Sequence, residues 1–222
     1  PGLFASKVPL RELVFHPPES GLFGLYTAAC DFADTRVRLV NVHLSPFVIE
    51  RGSSLLDTMD ALGRKEEEHT AEIRAICNTF DPASHTVVAG DFNSLSTFNA
   101  PKHLAKLGLT DSFAAMHADA DTHATWYWET RLLRLKLRID YVFHTRHFRT
   151  VNSQIVHRRG SDHSLVVSEL RLVEQSSSHP NSFTSGTSPL GSQRCVQQRG
   201  VQAPSRQRPR FGARTGPGLR LR

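Results

Sequence analysis

No stretch of this chain approaches the ~18 consecutive apolar residues that a helix needs to cross a bilayer, and no basic-then-apolar leader opens it. Without such a leader no secretion signal is read, and an intracellular setting is the expectation. The chain opens on Pro1 rather than Met, so the natural N-terminus is expected upstream. Cysteine is scarce: Cys30, Cys77 and Cys195 are odd in number and far apart, which does not suggest a disulfide framework. Cys30 and Cys77 stand among apolar neighbours and read as small buried residues rather than nucleophiles.

Acidic residues and lysine are both absent from residues 175–222, which hold eight arginines. That segment alone carries +8, leaving 19 basic against 21 acidic residues in 1–174. The formal charge of +6 therefore belongs to the tail, and it does not mark the rest of the chain as a nucleic-acid binder. The tail is rich in Ser, Gly, Pro, Gln and Arg and has no periodic apolar pattern. It offers too little apolar surface to offset the entropy of ordering, so 175–222 is expected to be disordered and 1–174 to form the folded domain.

Within 1–174, short apolar runs alternate with one long helical pattern, as in an α/β domain. Strands are expected at 10–15, 21–32, 36–44, 85–90, 137–145 and 164–173. A long helix is expected over 53–80 and a second over 100–108. No internal repeat is visible.

Four of these strand ends carry polar groups. HTVVAGDFNS (85–94) is a buried strand that delivers Asp91 and Asn93 to a sheet edge. If the segment stays extended, the two side chains point to the same side. Together they can position a water and bond a phosphoryl oxygen; equally, Asp-x-Asn is a common turn cap. KLRIDYVFHT (136–145) sets Asp140 inside an apolar strand, where an acid is costly unless it is paired. It reads either as a structural anchor or as part of a site. RRGSDHSLVV (158–167) places Asp162 and His163 between a turn and a strand. An imidazole there can take a proton near neutral pH, especially if Asp140 orients its other nitrogen. His43 ends the strand in VNVHLSP (40–46), where it could reach a phosphoryl oxygen or a leaving group, or simply cap the strand. Each motif is weak alone, but α/β proteins assemble their sites at successive strand ends.

In this order the motifs N-x-H-L, G-D-F-N, R-I-D-Y-V-F and G-S-D-H resemble the endonuclease/exonuclease/phosphatase superfamily, and the opening PGLFASKVPL is similar to a further segment of it. The resemblance covers residues 1 to about 172. It implies a four-layer α/β sandwich, two packed and mainly antiparallel sheets flanked by helices, with the first strands of one sheet missing. It implies a Mg²⁺- or Mn²⁺-dependent hydrolase acting on a phosphodiester or phosphomonoester by in-line attack of an activated water. By position, His163 would be the general base or a stabiliser of the transition state, and Asp140 would orient it. Asp91 would position the water and share the metal with Asp162. Asn93 would contact the scissile phosphate, and His43 would bind phosphate or assist the leaving group.

An Asn and a Glu that hold the metal in the superfamily are expected upstream of Gly2. A rival reading is therefore a binding or scaffold protein, or an inactive fragment, that retains the fold. The expected partner is a phosphate ester in a nucleic acid, a phospholipid or an inositol phosphate. Near-neutral charge on 1–174 argues against a dedicated duplex-DNA nuclease. Thr125-Trp126-Tyr127-Trp128 precedes Asp140 in a loop that could border the site. Its aromatics would stack on a base, sit against a lipid headgroup, or pack on the domain edge.

Overall fold

The computed structural model describes residues 4–32, 34–46, 55–129 and 134–173. The chain divides into two compact units, Pro1–Ser177 and Ser178–Arg222. Every described residue belongs to the first unit, and the expected tail lies outside them.

The elements run β1 (Leu10–His16), β2 (Leu25–Phe32), β3 (Thr35–His43), α1 (Leu55–Cys77), β4 (Thr86–Asp91), α2 (Asn99–Lys106) and β5 (Thr110–Asp111). They continue with β6 (Trp126–Glu129), β7 (Arg134–Leu137), β8 (Asp140–His144), β9 (Phe148–Val156) and β10 (Leu165–Leu172). Six strands make one sheet in the order β1-β2-β3-β4-β8-β5, while β9–β10 and β6–β7 form separate antiparallel pairs. Every pair in the large sheet is antiparallel except β3–β4. A parallel pair needs a long crossover, which α1 supplies.

Side chains alternate across the sheet and sort into two cores. Val40, Val42, Val88, Tyr141 and Phe143 face the helices and pack with Ile73 and Ile76 of α1 and Leu104 of α2. Each such side chain taken fully out of water contributes roughly 1.5–3 kcal/mol. On the other face Cys30, Val37, Leu39 and Val87 meet Phe148, Leu170 and Leu172 of the β9–β10 pair. The expected α/β sandwich is thus present, and the described layers are helices, a six-stranded sheet and a second sheet. Cys30 is buried and Cys77 packs against the helix-side core, where burial pushes its thiol up to about 11.

Of the expected strand over 137–145, Asp140–His144 form β8, while Leu137 ends β7 and Arg138 and Ile139 lie between the two. Thr125 Oγ1 accepts from both the Ile139 and the Asp140 amides, each at 3.0 Å. The buried Arg138 guanidinium meanwhile turns to pair with the half-buried Asp111 at 2.7 Å and the exposed Asp121 at 2.9 Å. The expected strand over 21–32 begins only at Leu25, because Gly21 takes a left-handed turn at φ 75°. Strands β5, β6, β7 and β9 were not expected from the sequence.

Candidate active site

Register brings three of the expected residues into one row. His43 ends β3 opposite Asp91 at the end of β4, and Asp91 lies opposite Asp140 at the start of β8. Counting by alternation from Leu39 and Val87, all three side chains fall on the face that looks toward the second sheet, at its rim.

A glycine makes this approach possible. Gly90 adopts φ 145°, and a Cβ there would lie 1.9 Å from the Val42 carbonyl oxygen. Only a residue without a side chain lets β4 run so close to β3 one step before Asp91.

Beyond Asp91 the chain does not stay extended. Asn93 is left-handed at φ 45°, a conformation asparagine tolerates. Its amide donates to Asp91 Oδ1 at 2.8 Å, and its carboxamide donates to the Leu44 carbonyl at 2.8 Å and to Asp91 Oδ2 at 3.3 Å. The turn-capping role and the site are the same residues, so Asn93 fixes the carboxylate beside which it works.

His163 arrives from the segment before β10. Trp126 bridges to His163 as an isolated strand pair. On either side, Tyr127 N donates to Asp162 O at 2.9 Å and Ser164 N donates to Thr125 O at 2.7 Å. This pinning sets His163 Nδ1 at 3.0 Å from Asp140 Oδ2 and Nε2 at 3.9 Å from Asp91 Oδ2. The second imidazole, His43, brings Nε2 to 3.8 Å from that same Asp91 oxygen. Phe23 stacks on His43 with ring centroids 4.3 Å apart. The Asp162 carboxylate is exposed and accepts from Trp126 Nε1 at 3.1 Å. It stands apart from the tight group, although its charge is felt at Asp91.

Asp91 and Asp140 are each only 18% exposed. Burial pushes Asp140 up to about 6; the neighbouring Asp91 adds to this, while Thr125 and His163 oppose it. Burial likewise raises Asp91, against the opposing pull of the Asn93 amide and the two imidazoles. Ligand atoms of Asp91, Asp140 and His163 all lie within 4.8 Å of one another. Two half-buried carboxylates side by side are short of positive charge, and a hard divalent ion that seeks oxygen ligands suits that set.

The row opens into a cleft of about 520 Å³. One wall holds His43, Asp91, Asn93 and His163; the other holds Trp126, Trp128, Leu135 and Leu137, with Ile139 and Pro46 between. The second wall is one face of the β6–β7 hairpin, since Trp126 pairs with Leu137 and Trp128 with Leu135. Sequence reasoning found the tryptophans but missed Leu135, Leu137 and Ile139. The alternation in Leu135-Lys136-Leu137 was the available signal, and the break at Arg138 hid it.

An α/β sandwich with carboxylates and imidazoles gathered at one rim defines a class. The sequence pattern of the Endonuclease/Exonuclease/phosphatase family matches residues 2–163, and the chain belongs to that family. Among solved structures it is similar to an endonuclease/exonuclease/phosphatase from Beutenbergia cavernae, with a TM-score of 0.55 and 26% identity over 75% of this chain. This chain spans 46% of that protein's length. It shares its fold with a variant of the 3′ phosphatase NExo from Neisseria bound to a product DNA hairpin, with a TM-score of 0.52 at 18% identity. That match covers 75% of this chain and 73% of the other. A further fold match is D. rerio TDP2 complexed with a single-stranded DNA product, with a TM-score of 0.53, 15% identity, and 74% and 68% of the two chains covered. No curated protein matches the chain.

Proposed function

We propose that this chain carries the catalytic row of a metal-dependent phosphoesterase that hydrolyses its substrate by in-line attack of water. The observation that carries this reading is His163, bonded through Nδ1 to Asp140 and directed through Nε2 toward Asp91. A carboxylate accepts hydrogen bonds and cannot donate them, so Asp140 holds the ring proton on Nδ1. Nε2 is then free to take a proton from a water lying between His163 and Asp91. Asp91 orients that water. His43, on the far side of Asp91, faces the leaving group or a phosphoryl oxygen. Both amide hydrogens of Asn93 are engaged, and the longer bond, 3.3 Å to Asp91, is the one it can exchange for a phosphoryl oxygen.

Asp91 would hold Mg²⁺ or Mn²⁺, with Asp162, whose charge is felt at Asp91, as a further carboxylate at the rim. Bound there, the ion would offset charge on the phosphoryl oxygens. The tryptophan-and-leucine wall supports a substrate with a flat apolar group next to its phosphate, as a nucleotide has. DNA structures of two proteins that share the fold agree with a nucleic-acid ester.

The test is turnover by the full chain of single-stranded and duplex DNA, RNA, sphingomyelin and inositol phosphates, with Mg²⁺, with Mn²⁺ and with chelator. Metal-dependent release of product from at least one ester is expected, with single-stranded nucleic acid preferred. No turnover of any of them with either ion overturns the reading.

A further inference from the structure

Helix α1 sends two ionisable side chains into the core, away from the carboxylate–imidazole row. His69 is 1% and Glu72 5% exposed. Among the described residues no cation pairs with Glu72, and burying an unpaired carboxylate is costly unless hydrogen bonds compensate. Its compensation comes from one residue, Ser45. The Ser45 amide donates to both Glu72 oxygens at 3.2 Å, and the Ser45 hydroxyl donates to Glu72 Oε1 at 2.7 Å. His69 Nε2 donates to the Ser45 carbonyl at 2.7 Å, and the Leu22 amide donates to Ser45 Oγ at 2.7 Å. Every polar group of a fully buried serine is therefore taken up, most of them by α1.

What Ser45 controls is the site. Leu44, the residue before it, supplies the carbonyl that holds the Asn93 carboxamide. His43 lies two residues back. Leu22, bonded to Ser45, precedes Phe23, whose ring stacks on the His43 imidazole. Among the described residues no hydrogen bond fixes that imidazole; its contacts are the stack and the 3.8 Å approach to Asp91. Its position thus depends on its own backbone and on Phe23, and both are tied at Ser45. Gly21 shows how tightly the parts fit: a Cβ there would lie 1.9 Å from Glu72 Oε1 and 2.5 Å from Ser45 Oγ.

We propose that Glu72 and His69 are positioning residues which, acting through Ser45, set His43 and Asn93 for the reaction. The inference rests on the phosphoesterase reading above. An apolar pair at these positions would pack without desolvation cost but would leave the segment 44–46 free to shift. A displacement of about 1 Å at a reacting group lowers turnover by up to ~100-fold.

The experiment uses the full chain, labelled with ¹⁵N, as wild type and as Ser45→Ala, Glu72→Leu, Glu72→Gln and His69→Gln. The imidazole signals of His43 and the carboxamide signals of Asn93 are read against those of His144 and His147, which lie elsewhere in the fold. Turnover is measured on the best substrate found above. Ser45→Ala and Glu72→Leu are expected to move the His43 and Asn93 signals and leave the control histidines in place. In these variants kcat falls about 10- to 100-fold, with KM within about twofold of wild type. His69→Gln and Glu72→Gln, which can rebuild some of the bonds, recover most of the loss. Should Ser45→Ala or Glu72→Leu fail to fold, the two glutamine variants carry the test through a smaller movement of the same signals. Unmoved His43 and Asn93 signals in folded variants overturn the proposal, as do moved signals with unchanged kcat. The signals are read without substrate. Failure here, with wild-type turnover intact, is therefore distinct from failure of the phosphoesterase reading, in which the wild type itself has no turnover.

Discussion

His163 Nδ1 lies 3.0 Å from Asp140 Oδ2, a contact that joins the segment before β10 to the first residue of β8. The contact sets which nitrogen carries the proton. Asp140→Asn keeps the shape but offers an amide N–H to Nδ1, which favours the tautomer with its proton on Nε2. Turnover is expected to fall about 10²- to 10⁴-fold with the circular dichroism spectrum unchanged. Steady-state rates within threefold of wild type would remove His163 from its role.

The raised proton affinity of Asp140 also links the site to stability. Its folded value of about 6 lies above the unfolded carboxylate value, so the folded state binds the proton more tightly. That contribution is whole below about pH 4 and is lost as pH rises toward 6. In metal-free protein above pH 6, Asp140→Asn should therefore be more stable than wild type, by about 3 kcal/mol, with the difference vanishing below about pH 4. Buried His69 titrates in the opposite sense, and comparing wild type with variant cancels it. Urea denaturation of both proteins across pH 4–8 measures the difference; a gap independent of pH would show that burial of Asp140 carries no charge penalty.

Divalent ions should reverse that penalty. Mg²⁺ or Mn²⁺ is expected to raise Tm at pH 7.5 by several degrees and by much less at pH 5, where protons compete for the same oxygens. Asp91→Asn should abolish most of the shift. A Tm indifferent to both ions at pH 7.5 would count against a metal site in this chain.

The chain has two tryptophans, and both line the cleft. Their rings are stacked with centroids 6.5 Å apart, and Trp128 is 48% exposed. Tryptophan emission, excited selectively, therefore reports the cleft. A non-hydrolysed single-stranded oligonucleotide should change the emission, and Trp126→Ala should raise KM about 5- to 100-fold, since stacking a base is worth ~1–3 kcal/mol. Emission that ignores the oligonucleotide but responds to sphingomyelin vesicles would move the substrate to the lipid class.

Arg138 is 4% exposed, bonded to Asp111 and Asp121, with its guanidinium 4.5 Å from the Tyr141 ring centroid. Removing one partner of a buried pair leaves the other uncompensated. Arg138→Met is expected to cost about 3–5 kcal/mol, and adding Asp111→Asn should return part of it. Chemical denaturation of the single and double variants measures this; a single variant within about 1 kcal/mol of wild type would mean the pair is dispensable.

Most of the row was legible because it sits on strongly patterned strands. Val87 and Val88 before Gly90-Asp91, and Tyr141 and Phe143 after Asp140, announce strands whose ends bear acids. Four residues expected of the site (His43, Asp91, Asp140 and His163) do converge, and Asn93 reaches them through a turn that its neighbours could not reveal. Asp162 was less legible, since its side chain turns outward to Trp126 and a local motif does not encode rotamers. The hairpin wall escaped notice for a different reason. Its strands are four residues each, and the second runs without a turn signal into Arg138, whose burial depends on Asp111 and Asp121 far off in sequence. Ser45 and Glu72 escaped for the same cause: they look like an ordinary loop serine and a solvated helix acid until the tertiary fold joins them.

The β6–β7 hairpin bonds to itself as its own two-stranded sheet, and it is one unbroken stretch of chain. The row it faces is divided among β3, β4, β8 and the approach to β10. On the phosphoesterase reading, chemistry and recognition are therefore stored differently along the polymer: one is divided among four segments, the other lies mostly in one hairpin. An engineer wishing to redirect such a protein could exchange the hairpin's side chains for those of a relative, but would have to keep the Trp126 backbone, whose pairing with His163 holds that imidazole in place.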